Sequence, residues 1–377
     1  MKLALVTPGF SSDERDWCIP ALLDFVQCLA AHAEIHIFAL RYPHRVDRYQ
    51  VYGATVHSLN GVGAGGARSP LLWSRAAREI ATEHQRGAFD VLHAFWAYEP
   101  GPIAVWAGRS LRVPVVISLA GGELAGLPDI GYGLQLWPHR RALVRWALQR
   151  AVAVTAGSRY LMSRAERLTS RLTLAPLGVD TGMFKDEGGR ITDEVFRLPP
   201  SSVILLNVAS LIPVKDQAAL LRAFAQVRPD FAGARLAIAG EGESHSALQT
   251  LAEELEIGDR VNFFGDVPHE ALPEIYRSAA FCVQSSRHEA QGMAVLEAAA
   301  CGVPTVGTAV GILPELMPDE WLAPPGDIPA LAGLIRRGLS QPMTLQEIGK
   351  TLRGRMESEF SLEGRVERFL EVYVSST

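Results

Sequence analysis

The feature that most limits what this chain can fold into is a rhythm of short, almost continuous apolar runs separated by segments of helical period. In the first half the runs are "KLALVT" from Lys2, "EIHIFAL" from Glu34, "VLHAFW" from Val91, "PVVISLA" from Pro114, "AVAVTAG" from Ala151 and "LTLAPLG" from Leu172. In the second half they are "VILLNVAS" from Val203, "RLAIAG" from Arg235, "VNFFG" from Val261, "FCVQSS" from Phe281 and "PTVGTAV" from Pro304. A strand that is apolar at every residue must be covered on both faces, and parallel sheets achieve this by routing each crossover through a helix. The rhythm lapses between Phe184 and Ser202, where "FKDEGGRITDEVFRLPPSS" is polar and then marked by two prolines. The chain is therefore expected to be an α/β protein of two Rossmann-like, doubly wound domains, residues 1–184 and 203–360, facing each other across a cleft. Ligands of open parallel sheets bind outside the carboxyl ends of the strands.

The 377 residues are enough for two cores, and 48% hydrophobic with 20% charged residues is ordinary for a globular protein. A formal net charge of -5 lacks the basic footprint of a nucleic-acid binder. Cys18, Cys28, Cys282 and Cys301 have no C-x-x-C spacing, and the start "MKLALVTPGF" is broken by Pro8 too early for a secretory leader. Free thiols in the cytoplasm are the expectation. No uncharged apolar stretch has the length of a membrane span.

One stretch points to chemistry: "SRHEAQGMAVLEAAACGVPTV" from Ser286. After the strand at Phe281–Gln284, a loop carrying Glu289 leads through Gly292 into a helix carrying Glu297. Gly302 and Pro304 then end the helix. Helical side chains lean toward the N-terminus, so Glu297 points back toward the Glu289 loop. Between the two acids, the amides of Gly292, Met293 and Ala294 lack intrahelical partners and carry partial positive charge. An anion flanked by hydroxyls, a phosphate and a sugar, suits that arrangement. In "SLIPVKDQAALLRAFAQV" a lysine, Lys215, opens a helix, where a cation is electrostatically misplaced unless it faces an anion. A solvated lysine is the plainer alternative.

Other motifs are weak or missing. "GVGAGG" (Gly61–Gly66) matches G-x-G-x-x-G but lacks the first strand and the ribose-binding acid of a dinucleotide site, and reads as a loop. No P-loop, G-x-S-x-G or D-x-D occurs, and neither His269-Glu270 nor His288-Glu289 extends to H-E-x-x-H. Neither a metal nor a cofactor is expected on this reading.

Taken in order, "SLIPVKDQ", "LAIAGEGES", "VNFFGDV", "SSRHEAQGMAVLEAAACGVPTV", "GILPEL" and "APPGD" closely resemble the second domain of the retaining glycosyltransferases called group 1 or family 4. Glu289, seven residues and Glu297 reproduce that group's acid pair. Weaker similarity in "LVTPGF", "DVLHAFW", "PVVISLAGGEL" and "PLGVDTGMF" extends it over most of the chain. The resemblance implies the GT-B fold, a last helix from residue 361 that returns to the first domain, a nucleotide-diphosphate sugar held by the second domain and an acceptor held by the first. It implies that Lys215 neutralises the diphosphate, that Gly292, Met293 and Ala294 bind phosphate and sugar, that Glu289 binds sugar hydroxyls and that Glu297 binds the ribose. Gly9 and Glu123 are the corresponding substrate-binding candidates of the first domain. Transfer would need no metal.

Three departures accompany the likeness. Ser210 stands where the group often has an arginine, with Arg287 a nearby source of replacement charge. Ala120 stands where a histidine is common, and the first loop, "TPGFSSDERDW", offers only Gly9. An inactive sugar-nucleotide-binding relative and a sugar-nucleotide epimerase of the same architecture are the alternatives. The acceptor, a sugar or a lipid-linked carrier, is left open. Trp96, Tyr98, Tyr132 and Trp137 could stack on it, with core packing their plainer role. "HRRALVRWALQR" from His139 reads as a basic amphipathic helix, of the kind that can rest on the inner face of a membrane, with a solvated face packed against the sheet as the plainer alternative.

Overall fold

The computed structural model describes residues 1–64, 69–189 and 202–377. Part of the glycine run Gly61–Gly66 and most of the linker at 184–202 lie outside the described residues. The chain forms two units, one comprising Met1–Gly178 with Leu362–Thr377 and the other Val179–Ser361.

The first unit is built on β1 (Lys2–Gly9), β2 (Glu34–Tyr42), β3 (Val46–Val51), β4 (Ala54–Leu59), β5 (Val91–Phe95), β6 (Val115–Leu119), β7 (Ala153–Ala156) and β8 (Leu172–Leu174). They form one sheet in the order β3-β4-β2-β1-β5-β6-β7-β8. Neighbours run parallel except in the β3–β4 hairpin, where Val46 stands opposite Leu59 and Val51 opposite Ala54. The second unit carries β9 (Val203–Val208), β10 (Ala234–Ala239), β11 (Val261–Gly265), β12 (Phe281–Gln284), β13 (Thr305–Thr308) and β14 (Leu322–Ala323). These are all parallel, in the order β11-β10-β9-β12-β13-β14.

Each apolar run read as a strand is a strand. The sequence reading missed the β3–β4 hairpin and the two-residue β14. In β3, Val46, Asp47, Arg48 and Gln50 are exposed, so an edge strand solvated on one side shows no continuous apolar run. The change of unit comes at Gly178, earlier than Phe184. Val179 N–H donates to Phe360 O (2.9 Å), and Phe184 is 1% exposed in the core of the second unit, edge-on to His269 at 5.2 Å.

The helix Leu362–Ser376 closes the first unit. It buries Val366, Phe369, Val372 and Tyr373 among Leu22, Phe25, Val26 and Phe95, with the Phe369 ring edge-on to Phe25 at 4.8 Å. Tyr373 also reaches His93 of β5. The Tyr373 hydroxyl and the Ser118 hydroxyl lie 2.7 Å from the two ring nitrogens of His93, which has no exposed surface.

Burial pushes the His93 imidazole down to about 3 from an ordinary 6.5. Between those values the unfolded chain binds a proton that the folded chain refuses, so the contribution to stability is complete above 6.5 and is lost as pH falls toward 3. Urea unfolding of the first unit should therefore weaken as pH drops from about 7 to about 4, by at most about 1.4 kcal/mol per pH unit from this group. His93→Gln should flatten that slope. An unchanged slope would assign the acid sensitivity elsewhere.

Candidate active site

The winding of the second sheet reverses between β9 and β12, and ligands of open α/β sheets sit outside the carboxyl ends of the strands at such a reversal. The two loops that leave there carry the candidate residues. After β9 comes Ser210, then the tight turn Pro213–Lys215, then Asp216 in the left-handed region (φ 50°). The Asp216 carboxylate accepts from Ala219 N–H at 3.3 Å and starts the helix Gln217–Val227. After β12 comes the loop of Arg287 and Glu289, then Gly292 (φ 98°) and the helix Met293–Ala300.

Buried polar side chains join these loops. Asn207 donates to Val283 O (2.9 Å), Gln217 to Ser210 O (3.2 Å) and Ser285 to Lys215 O (2.8 Å). Arg287 N–H donates to Val214 O at 2.8 Å. From the other side, Gln284 donates to Thr308 O (3.0 Å) and Val310 O (3.2 Å), and Thr308 donates to Ser286 O (2.7 Å). The loops are thus cross-braced through their own carbonyls.

Within this frame Lys215 Nζ lies 2.6 Å from Glu289 Oε1, which also accepts from the Ser286 hydroxyl at 2.7 Å. The two charged side chains are 22% and 13% exposed, partly dried but open at one side. Glu297 sits inside the following helix, 8% exposed. The Tyr276 hydroxyl donates to Glu297 Oε2 at 2.8 Å, and His269 Nε2 stands 3.6 Å from Oε1. Burial first, then the Glu297 charge, pushes the Tyr276 phenol well up, so it remains a donor. Gly292 caps the helix without a side-chain hydrogen bond, and the first N–H groups of a helix have no intrahelical acceptor. The helix ends at Cys301 and Gly302 (φ 73°).

Gly9 and Glu123 belong to the other unit. Gly9 ends β1 where the register with β2 shifts, and a Cβ there would stand 3.0 Å from Tyr42 Cβ. Glu123 lies in the loop after β6 and is 1% exposed. Its carboxylate accepts from the backbone N–H groups of Ala97 (3.1 Å), Ala120 (3.3 Å) and Gly121 (2.7 Å). Burial raises its pKa and those amides oppose the rise. Glu123 therefore ties the loops after β5 and β6 together and presents little surface to a ligand.

Residues 190–355 match the model of "Glycosyl transferases group 1", and residues 21–182 match that of "Glycosyltransferase Family 4". The chain belongs to the group 1 glycosyltransferases. Among curated relatives of this glycosyltransferase, the N-acetyl-alpha-D-glucosaminyl L-malate synthase of Bacillus anthracis is 25% identical over 79% of the chain and 77% of that protein. The D-inositol 3-phosphate glycosyltransferase of Mycolicibacterium smegmatis is 32% identical over 63% of the chain, which spans only 56% of that relative. Among solved structures, sucrose-phosphate synthase from Thermosynechococcus elongatus superposes over 100% of this chain and 98% of its own with a TM-score of 0.82 at 21% identity. Anabaena HepE in complex with UDP-glucose superposes over 100% of both chains at 0.75 and 17%. The fold is GT-B.

Sequence reasoning about this glycosyltransferase missed the bracing side chains Asn207, Gln217, Gln284, Ser285 and Thr308. A signal was present, because Asn207, Gln284 and Thr308 are polar residues at or near the carboxyl ends of otherwise apolar strands. Gly311 was also missed. Its φ is +65°, and a Cβ there would lie 2.4 Å from Gln291 O and 2.7 Å from Glu289 Cβ. Gly311→Ala should cost about 1–3 kcal/mol, the usual worth of such strain, in denaturant unfolding of the second unit. It should also move the Glu289 loop. Wild-type stability in that variant would contradict the packing described.

Proposed function

We propose that this chain is a retaining glycosyltransferase that moves a sugar from a nucleotide-diphosphate sugar to an acceptor hydroxyl, without a metal. The observation that supports it is the Lys215–Glu289 pair, 2.6 Å apart, beside the uncapped start of the helix Met293–Ala300. Before the donor arrives, Glu289 holds the ammonium. An incoming diphosphate competes for Lys215, with the amides of Gly292, Met293 and Ala294 as further donors. Glu289 is then free to accept hydrogen bonds from the sugar hydroxyls. Tyr276 fixes one oxygen of Glu297 and orients the carboxylate for the ribose. Arg287 supplies charge where Ser210 supplies none.

In the reaction the bond from anomeric carbon to diphosphate oxygen breaks, the electron pair leaves on the diphosphate, and the acceptor oxygen bonds to the same face of the carbon. The acceptor's proton passes to the departing phosphate. Lys215 stabilises the charge that grows there, and Glu289 faces the positive charge that grows on the sugar. Gly9 and the loop ordered by Glu123 receive the acceptor, which makes Glu123 a positioning residue. A lipid-linked acceptor at a membrane surface suits the basic helix Pro138–Leu148 with its neighbour Trp137, which is 49% exposed. Among the described residues no helix is long and apolar enough to cross a membrane.

HepE was solved with UDP-glucose, so that donor is the first to test, by calorimetry and by transfer to free and lipid-linked acceptors. Glu289→Gln should mainly lower turnover. Glu297→Gln should mainly weaken donor binding, and Lys215→Ala should damage both. Each loss should be about ten- to a hundredfold, the worth of one charged hydrogen bond at roughly 1.5–3 kcal/mol. Donor binding without transfer to any acceptor would favour an inactive relative. Interconversion of the donor without an acceptor would favour an epimerase. Unchanged affinity and turnover in all three folded variants would refute the assignment.

Turnover after EDTA treatment, measured well below the melting temperature, should equal that of untreated enzyme. Loss of turnover with EDTA and its return with manganese would mean that the metal, and not Lys215, carries the diphosphate charge.

A further inference from the structure

Three residues far apart in sequence meet inside the first unit: His36 of β2, His57 of β4 and Glu83 of the helix Ser69–Arg86. They are 4%, 2% and 2% exposed, and one potential ligand atom from each lies within 4.8 Å of the others. His36 Nδ1 and His57 Nε2 face each other at 3.1 Å, and His36 Nδ1 is 3.8 Å from Glu83 Oε2. The outer nitrogens face carboxylates: His36 Nε2 is 3.1 Å from Glu34, and His57 Nδ1 is 3.5 Å from Glu79.

A neutral imidazole has one N–H. If each ring gives it to the outer carboxylate, two lone pairs confront each other at the inner contact. A cation held by both resolves that clash. We propose that His36, His57 and Glu83 bind one divalent transition-metal ion, zinc foremost, with a fourth position for water. Ligands at about 2.0–2.1 Å from a tetrahedral zinc stand roughly 3.3–3.4 Å apart, which the observed separations bracket. Metal-bound histidines commonly donate their second N–H to a carboxylate, the place occupied here by Glu34 and Glu79. Phe38 stacks on His57 (4.7 Å between ring centres) and Phe89 stands edge-on to His36 (5.3 Å), making a dry wall. Arg48 and Arg86 reach the buried Glu83 carboxylate from side chains that are themselves 55% and 60% exposed, so both can swing into solvent when an ion takes that carboxylate. Lys2 pairs with Glu34 from outside.

His36 is near the start of β2, and Glu83 is near the end of the helix that leads back to the start of β5. The ion would sit toward the amino side of the sheet, away from the carboxyl ends, and would tie the β4–β2 edge to that helix. Its role is structural.

Chelator-stripped full-length protein titrated with Zn2+ or Co2+ should bind one equivalent by calorimetry. Co2+ should give the strong visible absorption of a tetrahedral site, and Zn2+ should raise the melting temperature. His57→Gln and Glu83→Gln should lose that equivalent. Glu34→Gln and Glu79→Gln, which keep all three ligands, should weaken binding about 10–100-fold and settle the matter if the ligand variants do not fold. No stoichiometric binding by wild type, or binding unaltered in the folded variants, would overturn the proposal. Transfer by the stripped enzyme at low temperature, if equal to wild type, keeps this site distinct from the donor site.

Discussion

Strands apolar on both faces can be satisfied only between two layers of helices, and everything functional in this chain follows from that requirement. Apart from the β3–β4 hairpin, helical crossovers deliver the strands in the same direction, so the loops that follow them gather at one edge of each sheet. The apolar interior stops there. Asn207, Gln284 and Thr308 stand at that boundary, 4%, 7% and 2% exposed, and spend their polar atoms on the carbonyls of neighbouring strand ends and loops. Buried polar groups that lacked such partners would be costly. Satisfied, they hold Lys215 and Glu289 at contact distance although one follows β9 and the other β12.

That contact gives the resting site a defined electrostatic state. A bare ammonium at the start of a helix is unfavourable, and Glu289 relieves it. The acid pair is thus divided in its surroundings. Glu289 has a charged partner and is partly exposed, whereas Glu297 is held by a buried phenol and is itself buried.

How much of this was legible depended on whether the partners lay close in sequence. The strand pattern was readable because each buried strand announces itself locally. So were Glu289, Gly292 and Glu297, which occupy one loop–helix unit, and the stop at Gly302. The β3–β4 hairpin was not, because one solvated edge strand looks like any polar segment. Glu123 entered as a substrate-binding candidate through the family resemblance, and its bracing role was not readable: two of its backbone donors are neighbours, but the third, Ala97, comes from the loop after another strand. The His36, His57 and Glu83 cluster was invisible for the same reason. Three separate elements contribute one residue each, and no spacing rule connects them.

The return of the helix Leu362–Ser376 to the first unit has a consequence for how the protein is made. Domains tend to fold in the order in which they leave the ribosome. Here the earlier unit emerges without the wedge formed by Phe369 and Tyr373. Phe25, His93 and Phe95 therefore line an unfilled slot throughout synthesis of the later unit. The unit that starts first is finished last, and during that delay its exposed apolar slot is the surface a chaperone would meet.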